Sequence, residues 1–191
     1  MARFTQAELQ DYRGVTVPDL LGPDLRLLFV GINPGLWTAA VQTHFARPGN
    51  RFYPALLAAG IITEPVDPGE GMTDADRARF TGRGLGITNL VARASARADE
   101  LDAAELRDGA VRLRALVADR SPAVVAVAGI TAYRTAVGDR HARAGRQRED
   151  WGGTQVWVVP NPSGLNAHES AASLAEAYAA PARAAGVLPQ R

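Results

Sequence analysis

Four short apolar runs, separated from one another by helix-forming segments, constrain this chain most. Residues 25–30 are apolar apart from Arg26 and end in Gly31; comparable runs follow at 85–91, 123–128 and 154–159. Runs of this length without regular polar alternation suit strands buried on both faces, as in a parallel sheet. Between them lie helix signals. Thr5 and Glu8 have capping-box spacing, which predicts a short helix to about Tyr12. Asn50 is a candidate cap for a helix over 51–59 that stops at Gly60, and Thr73 for one over 74–80. Residues 102–119 form a predicted amphipathic helix with Leu106, Val111, Leu113 and Leu116 as its apolar stripe, and helices over 131–137 and 169–185 complete the order. This alternation predicts an α/β fold: a three-layer sandwich with a mostly parallel central sheet and helices on both faces.

At 191 residues the chain has the length of one domain, with its core expected over about 25–185. Two absences narrow its chemistry. There is no cysteine, which excludes thiol nucleophiles, Cys-ligated clusters and zinc sites, and disulfides. There is no lysine either, so all 21 basic residues are arginines, and a Walker-A phosphate site or a lysine Schiff base is excluded. The net charge of +1 means that any polyanion must be met by a local basic face. No apolar stretch is long enough to span a membrane, and the N-terminus lacks an apolar signal core, so a cytoplasmic protein without membrane association is expected; a monomer is expected as well.

In a parallel sheet the ligand crevice lies outside the carboxyl ends of the strands. After the first run comes Gly31-Ile32-Asn33-Pro34-Gly35, and after the last comes Asn161-Pro162-Ser163-Gly164-Leu165-Asn166. Each sets an amide side chain beside Pro and Gly, which fix a turn and let the backbone approach a ligand closely. Together with FARPGNRFY from Phe45 and GITNLVARAS from Gly86, these segments resemble the mismatch-specific uracil-DNA glycosylase and thymine-DNA glycosylase family of the uracil-DNA glycosylase superfamily. The resemblance spans roughly 25–178.

It implies a monofunctional glycosylase that flips uracil out of a G:U mismatch in double-stranded DNA and hydrolyses its N-glycosidic bond, initiating base excision repair without a cofactor or metal. By the same resemblance Asn33 positions the attacking water and the Ile32 backbone N–H supports the departing base. Phe45 stacks on that base, Asn89 and Asn161 line its pocket, and Thr38 lies near its 5-position. Gly164 and Leu165 correspond to the wedge that fills the gap in the duplex and faces the opposite base. Ala167 stands where some relatives carry an arginine. Arg47, Arg51, Arg93 and Arg97 flank the site as candidate phosphate contacts.

The three histidines, His44, His141 and His168, have no metal-ligand spacing, and neither a GxSxG elbow nor a GxGxxG loop is present. Two other readings remain open. One is a same-fold glycosylase favouring ethenocytosine, hypoxanthine or thymine opposite G; the other is a damage-binding module without effective hydrolysis.

Overall fold

The strands are β1 (Leu27–Gly31), β2 (Leu85–Asn89), β3 (Val124–Ala128), β4 (Gly145–Arg146) and β5 (Gln155–Val159), in a computed structural model that describes residues 4–166 and 168–190. They form one sheet in the order β2-β1-β3-β5-β4. All neighbours pair in parallel except β4, which runs against β5 at the edge. The two-residue β4 is too short to leave a periodic signal in the sequence.

Side chains alternate across the sheet with period two, and each face has its own core. One face carries Leu27, Phe29, Ile87, Val124 and Ala126 against α3 (Phe52–Ala58), α4 (Asp74–Gly82) and α7 (Ala171–Ala184). The other carries Leu28, Val30, Val125, Val127 and Val156 against α5 (Ala103–Arg120) and α6 (Ile130–Val137). The α/β three-layer arrangement expected from the alternation is therefore present. A smaller cluster joins α1 (Gln6–Gln10) to α2 (Leu36–Val41) through Leu9, Leu36 and Ala39.

The caps explain where the helices start. Thr5 with Glu8, Thr73 with Asp76 and Asp102 with Glu105 form capping boxes that satisfy otherwise orphaned N–H groups. Ser170 caps the last helix, which starts at Ala171 rather than at Glu169. In α5 the buried stripe is Leu106, Ala110, Leu113 and Val117, whereas Val111 is 68% exposed. Val111 lies one residue, about 100° of helix, beyond Ala110, so its inclusion in the expected stripe is corrected by the helical period. The helix α2 has no clear signal in the sequence, because its six residues follow a turn with no side-chain cap at Gly35.

One feature of the topology builds the site. Beyond β2 the chain continues alongside the loop that follows β1: Leu90, Val91 and Ser95 donate their N–H groups to the carbonyls of Gly31, Ile32 and Pro34. The segments after β1 and β2 are thus fastened together at the carboxyl end of the sheet.

Candidate active site

A cleft of about 140 Å³ opens where the carboxyl ends of β1, β2, β3 and β5 converge. Ile32, Asn33, Thr38, Phe45, Asn89, Asn161 and Arg47 all line it, as do Ser95 and Ala128. The volume is below the roughly 300–1,000 Å³ of a drug-sized pocket, which suits a single heterocyclic base more than a cofactor. Two of the larger hollows elsewhere are lined mainly by polar and charged groups. One, about 570 Å³, sits beside Arg26 and Gly84 at the opposite ends of β1 and β2; the other, about 680 Å³, lies around Arg114, His141 and Arg146.

The Asn33 carboxamide is held by its nitrogen. Nδ2 donates to Ser95 Oγ at 2.8 Å, Pro34 O at 3.0 Å and Arg93 O at 3.3 Å. Ser95 is itself buried and donates to Arg97 O at 2.6 Å. With three acceptors around the nitrogen, the oxygen is the half left for a ligand, and an amide oxygen can accept a hydrogen bond from water. Close by, the β1–β3 ladder stops at Val30 and Val127, and the Ile32 N–H has no backbone acceptor among the described residues.

Phe45 has φ +56°, in the left-handed region that a bulky residue enters only under constraint. The constraint is visible on both sides of it. Tyr53 Oη donates to His44 O at 3.0 Å, and Ala46 N donates to Thr38 Oγ1 at 3.3 Å. The ring stacks on Phe52 at 4.1 Å between centroids, while its edge lines the cleft. Gly31 lies beneath: a Cβ there would come within 2.4 Å of Asn89 Oδ1 and 3.3 Å of Phe45 Cζ, so only glycine lets these two groups meet over the strand end. Thr38 is almost fully buried, with its hydroxyl accepting from the Ala46 amide.

The last loop is pinned differently. Asn161 Oδ1 accepts from Ser163 N at 2.9 Å, closing its own turn and leaving Nδ2 as the available group. Leu165 is 73% exposed at the tip. Gly164 packs on the neighbouring segment so closely that a Cβ would lie 2.7 Å from Gly49 O. Arg51 braces the same loop, donating from Nη1 to Asn166 O at 3.1 Å and Ser163 O at 3.4 Å, while its backbone N–H reaches Pro162 O.

The pattern of the family model for the uracil DNA glycosylase superfamily matches residues 18–182. The chain belongs to the uracil DNA glycosylase superfamily. It is accordingly a DNA glycosylase, a hydrolase acting on N-glycosyl bonds. Its fold is similar to the solution structure of a candidate uracil DNA glycosylase from Methanosarcina acetivorans. That comparison has a TM-score of 0.62 at 17% identity and covers 91% of this chain and 98% of the other.

For a superfamily member acting on DNA, the arginines divide into two groups. Arg47 is exposed at the cleft mouth and makes no ion pair among the described residues. Arg93 is instead clamped to Glu105, with Nη2 to Oε2 at 2.8 Å, and that hydrogen bond, with the Asp102 N–H, pushes the Glu105 carboxyl down to about 2. Arg97 pairs with Asp99. The expected phosphate roles of Arg51 and Arg93 therefore compete with contacts inside the protein, whereas the Arg47 side chain makes no such contact among the described residues. Ala167 lies outside the described residues. No group of three or more metal-ligating side chains gathers among the described residues, and none of their helices is long and apolar enough to cross a membrane.

Two residues with site contacts were given no role from sequence. Ser95 ends one of the quoted segments, but its bond to Asn33 is visible only once 89–95 folds back along β1. His44 carries no local sequence signal for its role, because its partner Asn89 is 45 residues away.

Proposed function

We propose that this glycosylase removes uracil from G:U mismatches in double-stranded DNA, as a monomer and without a cofactor. The observation that carries the reading is the Asn33 carboxamide, locked by three hydrogen bonds from its nitrogen with the oxygen left at the cleft. That oxygen accepts from a water and aims the water's lone pair at C1′ of a flipped nucleotide. Breaking the N-glycosidic bond develops positive charge on the sugar and negative charge on the base. The free Ile32 N–H and Asn161 Nδ2 are donors suited to the latter. The proton lost from water leaves to solvent or to the base anion, since an amide is not an effective base.

Phe45 offers its ring to the flipped base, and exposed Leu165 fills the space that the base vacates. Thr38 stands where a 5-methyl group would intrude, which favours uracil over thymine.

End-labelled duplexes carrying uracil opposite G, uracil opposite A, thymine opposite G, ethenocytosine opposite G or hypoxanthine opposite T test this reading, each with and without alkali. Alkali-dependent cleavage, greatest at uracil opposite G, is expected, with Thr38→Ala raising cleavage at thymine. A different lesion at the head of the ranking would replace uracil as the substrate. Binding without cleavage of any duplex would overturn the catalytic reading.

A further inference from the structure

His44 is 3% exposed beneath the cleft, and its two ring nitrogens have unlike partners. Nε2 lies 2.9 Å from Pro18 O, which can only accept, so Nε2 carries the proton. Burial disfavours the charged ring, and a neutral imidazole has one N–H; Nδ1 is then a bare acceptor. It lies 3.1 Å from Asn89 Nδ2, which must donate to it. The reversed amide would set the carboxamide oxygen against the Nδ1 lone pair. The chain at His44 is also fixed, because Tyr53 Oη holds its carbonyl.

We propose that His44 is a positioning residue that locks the Asn89 carboxamide oxygen toward the base, so that the pocket selects bases carrying an N–H at the facing ring position. The proposal rests on reading the cleft as the base pocket. Its geometric support is the floor of that cleft, where Asn89 Oδ1 and the Phe45 ring edge meet over Gly31. An oxygen there accepts from the N3–H of uracil. Ethenocytosine has no N–H at that position and gains nothing from the lock, while the N3 lone pair of cytosine is repelled. The chemical class admitted is thus the pyrimidine imides.

Single-turnover excision of uracil and of ethenocytosine, each opposite G, by wild type, His44→Leu, Asn89→Ala and the double variant tests the assignment. His44→Leu is expected to lower uracil excision about tenfold and ethenocytosine excision less than twofold, and to add nothing in the Asn89→Ala background. Equal losses on both bases, or a His44 effect that persists without Asn89, would overturn it. Imidazole ¹⁵N spectra of the wild type give a readout independent of turnover and of variant folding. A protonated Nε2 and bare Nδ1 are expected, and the opposite tautomer would refute the lock. A wild type that excises no uracil would refute the proposed substrate, while the ring spectrum would still decide whether His44 orients Asn89.

Discussion

The loops after β1 and β5 each carry an Asn-Pro pair, yet they hold their asparagines by opposite ends. Asn33 spends its nitrogen on Ser95, Pro34 and Arg93 and retains an oxygen; Asn161 spends its oxygen on Ser163 and retains a nitrogen. The first loop is fixed by the segment beyond β2, the second by its own turn and by Arg51. One side-chain type thus supplies an acceptor on one wall and a donor on another. Hydrolysis of a glycosidic bond calls for both, an acceptor to aim water and donors to meet the departing base. Residue identity alone does not tell the two apart; their hydrogen-bond partners do.

The comparison breaks most readily at Asn33. Removing the carboxamide in Asn33→Ala is expected to slow single-turnover excision by about 10²-fold or more through loss of water positioning. Affinity for the same duplex, read by fluorescence anisotropy, stays within a factor of about two, because the side chain serves chemistry more than binding. An equal loss of affinity would mean that Asn33 holds DNA and not water.

The second loop is tested through its brace. Arg51→Gln removes the charged donor from Ser163 O and Asn166 O, and should reduce excision from duplex DNA by roughly tenfold or more, given about 1.5–3 kcal/mol for a charge-assisted hydrogen bond. Uracil in a single strand needs no wedge, so its excision should be nearly unchanged. A similar loss on both substrates would return Arg51 to the phosphate role expected from sequence.

Ser95→Ala sharpens the first loop with a smaller effect. It removes one of three acceptors from Asn33 Nδ2, and a net contribution of about 1 kcal/mol predicts roughly a fivefold fall in kcat with little change in KM. A rise in KM alone would place Ser95 in binding.

The smallest effect is one of stability. Burial holds His44 below its ordinary value of 6.5; the Pro18 carbonyl and Asp19 oppose that shift and Arg77 adds to it, with Tyr53 packed against the His44 backbone. The unfolded chain then binds a proton more readily than the folded one. The stability contribution is complete above pH 6.5 and is lost as pH falls through the lower folded value. The melting temperature should therefore decline below pH 6.5, and His44→Leu should flatten that part of the profile. An unchanged slope in the variant would assign it to other groups.

Much of this was legible in the sequence, and the omissions have physical reasons. The apolar runs and the capping residues Thr5 and Thr73 disclosed the sheet and two of the helix starts, since these signals are local, whereas the helix expected to be capped by Asn50 has Arg51 at its N-cap without a side-chain cap. The two Asn-Pro loops pointed to the cleft because strand ends in such a sheet must converge. What local reading could not supply were the long-range partners: Ser95 for Asn33, His44 for Asn89, Glu105 for Arg93 and Arg51 for the last loop. Each pairing depends on how separate segments pack, and each alters what its side chain can offer. Val111 was misplaced for a narrower reason, a one-residue error in helical phase.

The most direct test of opposite amide polarity is Asn161→Asp. The aspartate retains an oxygen for Ser163 N and almost the same shape, while replacing the free donor by a second oxygen. Single-turnover excision of uracil opposite G, measured beside the melting temperature, should fall by about 10²-fold, as for a lost donor to a developing anion, with the fold intact. An unchanged rate in a protein of unchanged stability would contradict the account, because the nitrogen retained at Asn161 would then have no part in the reaction.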